Sequence, residues 1–324
     1  MRIFIELPTW LGDSVMASVA IENIVTNIPA AKIVFFGSSV STELYKHHPN
    51  AIEIIEDQSK KSFLRYFWLS KKIDELDEFD LAISFRSHFS SKFILNMIKA
   101  KKKIIFKSKK TKTHQVNQYL EFVNLNLNLL PINTEQRIYF ARQDLQIKGK
   151  KELLGINPGA TYGSAKRWPP EYFASVAQTF SDRFDIVIFG SNKEKEMCDR
   201  IEQILNEQSV NSINLCGKTT INELANALSQ LDLFITNDSG PMHLAASFKI
   251  PMIAIFGSTR YDQTAPYGNM RARVLHLDLP CMPCMKRKCP QKNHACMKDL
   301  TPNLVVTAIR RLLNMDDQIK FSPN

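Results

Sequence analysis

The sequence predicts an α/β protein of two domains, each built on a parallel sheet. Three observations predict it. At 324 residues the chain is longer than one hydrophobic core usually serves. Short apolar runs alternate with segments of helical period. The alternation starts again after a polar join at residues 142–151. In order, residues 2–7 read as a strand and 13–27 as a helix, then 32–36 as a strand and 41–47 as helical. Strand-like runs at 52–55, 81–84 and 103–106 follow, with helical segments at 64–73 and 93–99 between them. Beyond the join, strands at 154–157, 185–189, 212–215, 233–236 and 252–256 alternate with helices at 170–180, 194–208, 221–230 and 242–248. That order predicts parallel sheets and a ligand-binding cleft between the domains, 1–148 and 149–301. Thr301 as N-cap and Pro302 at the first helical position open a last helix running to about residue 314.

Apolar residues make up 44% and charged residues 23%, which excludes a disordered or collagen-like chain. No apolar run approaches the roughly 18 residues that cross a bilayer, and no basic leader precedes the first strand. The expectation is a cytoplasmic protein whose membrane contact is peripheral. The net charge of +10 is concentrated: residues 86–120 contain ten Lys and Arg and no Asp or Glu, so the remainder balances to zero. Such a stretch is either a solvated face or a surface for an anionic partner. Four of six cysteines, Cys281, Cys284, Cys289 and Cys296, follow the spacing C-x2-C-x4-C-x6-C with His294 nearby. The spacing admits zinc or a cluster but lacks the paired C-x2-C of zinc ribbons, which leaves a metal-binding and a structural segment both open.

Three loops carry the chemistry. In the first, Pro8-Thr9-Trp10-Leu11-Gly12-Asp13-Ser14, Gly12 suits a tight turn after the first strand and Asp13 stands at the helix start. A carboxylate there either takes a proton from a substrate hydroxyl or caps the helix. The second, Asn157 to Pro169, also leaves a strand. Its glycines allow close backbone approach, Thr161 and Ser164 offer hydroxyls, and Lys166 and Arg167 offer charge to phosphate oxygens or to solvent. Trp168 reads as a packing anchor. The third, Thr236 to His243, places Ser239 and Gly240 at a helix start, where free backbone N–H groups can hold a diphosphate. His243 on the first turn either contacts phosphate or is a core histidine. Asp238 would repel phosphate and is expected to orient its neighbours or contact a sugar.

Taken in order, PTWLGDSVMA, NPGATYGSAKRWPPEYF, TNDSGPMHLAAS, PMIAIFGST and CMPCMKRKCPQKNHACMKDLTP resemble the ADP-heptose:lipopolysaccharide heptosyltransferases, most closely their type II members. Residues 38–150 match more weakly. The resemblance implies the GT-B fold, two Rossmann-like domains facing across a cleft, and inverting sugar transfer with no metal or cofactor. It implies Asp13 as catalytic base and Lys166 as a donor-phosphate contact with Thr161 beside it. Asp238, Ser239, Gly240 and His243 would form the donor loop, and Glu194 or Glu196 would reach the ribose. The donor would be ADP-heptose, supplying L-glycero-D-manno-heptose. The acceptor would be Kdo-lipid A carrying one heptose, with Arg86 and Ser87 lining its pocket and the basic stretch facing the anionic inner membrane. The helix at 302–324 would pack back on the first domain.

A type I heptosyltransferase, or another nucleotide-sugar transferase of the same fold, is the near alternative, because loops rather than fold choose the substrate. A nucleic-acid binder using residues 86–112 is the alternative of a different class. Against it stands the scarcity of aromatics for base stacking: only Phe89, Phe93, Phe106 and Tyr119 are near. A silent zinc-dependent scaffold is the third. It would need bound metal and an Asp13 that can be replaced without loss.

Overall fold

Residues 1–58, 65–109, 111–142, 147 and 151–314 are described by the computed structural model. The chain divides into two units, Met1–Arg142 and Gln143–Asn324. The division falls six residues before the expected one. Leu64, Lys110, most of the join and residues 315–324 lie outside the described residues.

The first unit runs β1 (Arg2–Glu6), α1 (Leu11–Asn27), β2 (Lys32–Gly37), α2 (Ser39–Leu44), β3 (Ala51–Glu56), α3 (Arg65–Asp74), β4 (Phe79–Ser84), α4 (Phe89–Met97), β5 (Ala100–Ile105) and α5 (Gln115–Leu127). Its strands are parallel, in the order β3-β2-β1-β4-β5. Central β1 is covered on both faces, so Ile3, Phe4 and Ile5 are all apolar and fully buried. β2 and β3 each lie beside their predecessor, but β4 returns to the other side of β1. Ligand crevices in such sheets open at the carboxyl ends of the strands where the order reverses. The Asp13 loop leaves β1 and the Arg86 loop leaves β4, so both stand at that point.

The second unit repeats the plan. It runs β6 (Glu152–Asn157), α6 (Pro170–Thr179), β7 (Phe184–Ile188), α7 (Lys195–Glu207), β8 (Ser212–Asn214), α8 (Ile221–Leu228), β9 (Leu233–Asn237), α9 (Gly240–Ser247), β10 (Met252–Ile255), α10 (Tyr261–Thr264), β11 (Ala272–Leu275), α11 (Ala295–Lys298) and α12 (Pro302–Leu312). The parallel order is β11-β10-β9-β6-β7-β8. Here the reversal falls between β6 and β9, the strands that lead into the second and third motif loops.

Several expectations need correction. α1 begins at Leu11, two residues early, because its N-cap is Trp10, with extended backbone and no side-chain cap. Asp13 is therefore in the first turn rather than at the cap, and Gly12 is a buried helical position rather than a turn. The strand β11 and the helix α5 were not anticipated. The last helix, expected on the first domain, packs in its described part against elements of the second unit. Val305 and Ile309, one turn apart and fully buried, set α12 against α6, β10 and β11. Leu300, buried beside it, accepts a hydrogen bond from the indole of Trp168 at 2.7 Å. With Thr301 alone between that anchor and α12, the chain has no slack to leave the second unit.

Candidate functional site

In the first unit, the loop from β1 is pinned by Ser14, whose hydroxyl donates to the Pro8 carbonyl at 3.0 Å. Asp13 is half-buried in the first turn of α1, where the helix dipole favours a carboxylate. Its charge is felt by Tyr119 of α5: burial, and after it the Asp13 carboxylate, push that phenol well above its usual range.

Arg86 does not stand free. Its guanidinium donates to Glu6 Oε1 at 3.0 Å, and its side chain is only 12% exposed. The Ser84 and Ser91 hydroxyls complete the cradle around the Glu6 carboxylate, at 2.6 and 3.0 Å. Burial raises the Glu6 carboxyl above its ordinary value, against the lowering effect of Arg86. Ser87, by contrast, is exposed.

The basic stretch is also partly spoken for. Lys101 pairs with Asp80 at 2.7 Å and Lys109 with Glu121 at 3.0 Å. Lys101, Lys102 and Lys103 lie exposed along β5, an edge strand, where lysines discourage pairing with another chain. Lys92, Lys99, Lys107 and Lys112 are exposed as well. Of the four aromatics nearby, Phe106 and Tyr119 are buried and Phe93 is half-buried, so Phe89 alone of the four stands exposed for stacking on bases.

In the second unit the two motif loops are stitched by the last residues of their strands. Asn157 of β6 donates to Ser239 Oγ at 3.2 Å, and Asn237 of β9 donates to the Pro158 carbonyl at 2.7 Å. The Asn237 side-chain oxygen Oδ1 accepts from the Trp168 backbone N–H at 3.2 Å. Trp168 is fully buried, the anchor its sequence context suggested. These bonds hold Lys166 against Asp238, with Nζ and Oδ2 2.5 Å apart. Thr259, just past β10, donates to the same Oδ2 at 2.6 Å. Asp238 Oδ2 therefore receives both the Lys166 ammonium and the Thr259 hydroxyl. Ser239 caps α9, accepting from the Met242 N–H at 3.4 Å, and His243 is buried on the first turn. Thr161 is exposed on the same loop.

Glu194 is buried and engaged locally. Its Oε2 accepts from the backbone N–H and the hydroxyl of Ser191, both at 2.8 Å. Its carboxyl group also lies on Gly159: a Cβ there would stand 2.1 Å from Glu194 Cδ. Glu194 therefore touches the second motif loop, whereas Glu196 is exposed on α7. The residues that sequence reasoning missed are Thr259 and the pair Glu6 and Ser91. For Thr259 the local signal is a hydroxyl shortly after β10; for Glu6 it is a carboxylate inside an otherwise apolar strand.

The four clustered cysteines are free and line one small cavity with Ala165 and Ser258. Burial, then the neighbouring cysteines, push the Cys296 thiol up to about 11, so it stays protonated at neutral pH. Among the described residues no group of three His, Cys, Asp or Glu side chains is placed to hold a metal ion. No helix among them is long and apolar enough to cross a membrane.

Comparison with known proteins agrees with this geometry. The model of glycosyltransferase family 9 (heptosyltransferase) matches residues 69–295. The lipooligosaccharide heptosyltransferase 2 of Campylobacter jejuni serotype O:2 is 47% identical over 318 residues, 97% of this chain and 98% of that one. The structure of E. coli ADP-heptose LPS heptosyltransferase II aligns with a TM-score of 0.75 at 21% identity, covering 98% of this chain and all of the other. A family 9 glycosyltransferase from Veillonella parvula aligns at 0.84 and 22% identity, over 97% of both chains. With two parallel-sheet units, motif loops at both switch points and near full-length identity of this order, the chain belongs to glycosyltransferase family 9, the heptosyltransferases.

Proposed function

We propose that the chain transfers L-glycero-D-manno-heptose from ADP-heptose to the first heptose of the lipopolysaccharide inner core, with inversion and without a metal or other cofactor. The observation that carries this reading is the cluster at the second switch point. There Lys166 is held by Asp238, the residue before the Ser239 cap of α9, and His243 lies buried on the first turn of that helix. That is a place for a diphosphate, in a chain 47% identical to a heptosyltransferase 2.

In the mechanism, Asp13 takes the proton of the acceptor hydroxyl as its oxygen attacks the anomeric carbon. The bond from that carbon to the β-phosphate oxygen breaks on the opposite face, and ADP departs with both electrons. Lys166, the N–H groups of Ser239 and Gly240, and His243 stabilise the leaving diphosphate. Thr161 is a further hydroxyl for phosphate, and Glu194, beside Gly159, is placed for the ribose. In the first unit, Arg86 and Ser87 face the acceptor, whose phosphates and carboxylates suit the exposed lysines at 92, 99, 107 and 112. The same lysines are proposed to hold the cytoplasmic protein peripherally on the anionic inner membrane.

The test is a mass-spectrometric transfer assay with ADP-heptose and two acceptors, Kdo-lipid A bare and carrying one heptose. The expected result is one heptose added to the second acceptor only, unaffected by chelator. Asp13→Ala should cut the rate by about 10² to 10⁴ while ADP still binds. Transfer only to the bare acceptor would make the protein a type I enzyme. An undiminished Asp13→Ala rate would remove the base from the mechanism.

A further inference from the structure

The Lys166–Asp238 contact is an ion pair with no net charge, with side chains only 13% and 5% exposed. An ADP ester brings about two negative charges, and a helix start offers only about half a positive one. A second cation is needed near the loop, and the cysteine-rich segment supplies it. That segment is bolted to the donor loop through its backbone. The Ala165 N–H donates to the Arg287 carbonyl at 3.1 Å, and the Tyr162 hydroxyl donates to the Met285 carbonyl at 2.8 Å. Gly163 makes the approach possible, since a Cβ there would stand 2.2 Å from the Arg287 carbonyl oxygen, a backbone atom with nowhere to go.

This contact brings two cations to one ring. Lys166 Nζ lies 4.8 Å from the Tyr162 ring centroid, and the Arg287 guanidinium carbon lies 5.3 Å from the same centroid. Arg287 makes no ion pair with a carboxylate among the described residues, so its charge is not offset as that of Lys166 is. A guanidinium held on an aromatic face keeps its N–H fork for phosphate oxygens. We propose that Arg287 is a further donor-binding residue: with Tyr162 as its platform, it carries the charge that faces the donor diphosphate. The role of the cysteine-rich segment is then to present this arginine. The proposal rests on the reading of the Lys166 loop as the nucleotide-sugar site.

The experiment is calorimetric titration of the full chain with ADP and with adenosine, for the unaltered protein and for Arg287→Ala, Arg287→Lys and Lys288→Ala. Arg287→Ala should weaken ADP about tenfold, the worth of one accessible charged contact (about 1.4 kcal/mol), and leave adenosine unchanged. Arg287→Lys should recover part of the loss, and Lys288→Ala, an exposed neighbour, should stay within about twofold. ADP binding undisturbed by Arg287→Ala would overturn the proposal. So would an equal loss of adenosine, which marks a collapsed loop, or an equal effect of Lys288→Ala, which marks unspecific charge. Failure of the unaltered protein to bind ADP would overturn the donor reading and this proposal with it.

Discussion

Replacing Lys166 by methionine would leave the Asp238 carboxylate buried with the Thr259 hydroxyl as its remaining partner among those described above. Removing one member of a buried pair costs about 3–5 kcal/mol, since the other charge stays desolvated. Two features place this site at the low end, about 3 kcal/mol. Thr259 still donates at 2.6 Å, and the lysine keeps 13% of its side-chain surface in water. For a unit of this size 1 kcal/mol moves the midpoint by about 2–4 °C, so a fall of about 6–12 °C is expected. Asp238→Asn should cost somewhat less, about 2 kcal/mol, because a freed ammonium can reach solvent. The double variant Lys166→Met/Asp238→Asn has no orphaned charge and should cost about 2 kcal/mol less than the two singles summed. Scanning calorimetry of all four proteins, without ligand, measures the cycle. Additive losses would show that the two groups do not stabilise one another, and would refute the account of Asp238 as the group that fixes Lys166.

Two further outcomes follow from other parts of the molecule. Because burial raises the Glu6 carboxyl in the folded state, its contribution to stability is fully present below the unfolded value, near 4.5, and is lost as pH rises through the folded one. Urea unfolding should therefore find the unaltered protein gaining on Glu6→Gln as pH falls from 7.5 to 4.5; a constant or opposite difference would mean that Arg86, Ser84 and Ser91 outweigh burial and would refute the raised carboxyl. Ile309→Ala removes a fully buried side chain of α12 and should cost about 2–5 kcal/mol, read from the calorimetric transition. A loss below about 0.5 kcal/mol would mean that α12 does not pack on the second unit as described.

How much could be read before folding differs between elements. The strands at β1, β4, β6, β9 and β10 are short apolar runs, and the loops after them carry Gly, Asp, Asn and Ser in patterns that need only a strand before and a helix after. Those features are local, so residue spacing expresses them. The helix α5 is illegible in the sequence because its Asn-rich run hides the buried positions Val116, Tyr119, Leu120 and Val123, which show their spacing only once α1 is there to cover them. The ends of elements shifted too, as at Trp10, because a cap depends on backbone angles that no residue type there dictates.

The candidate site is legible in the sequence as a set of residues and illegible as an arrangement. Asp13, Lys166, Asp238, Ser239 and His243 stood out by their place after strands. Which of them meet depends on strand order, and strand order is a property of pairings across long stretches of chain. Ile5 pairs with Ile83 and Ile156 with Ile235, and those two registers create both switch points. The same holds for side chains: Lys166 finds Asp238 72 residues away, and Arg86 is drawn to Glu6 80 residues away. It holds again for Val305 and Ile309, whose helical stripe fits any apolar face until the Leu300 anchor commits it to the second unit. Sequence pattern determines what each segment wants to bury and which loops can carry chemistry; the closing of distant segments on one another decides which charges are paired and which face α12 covers.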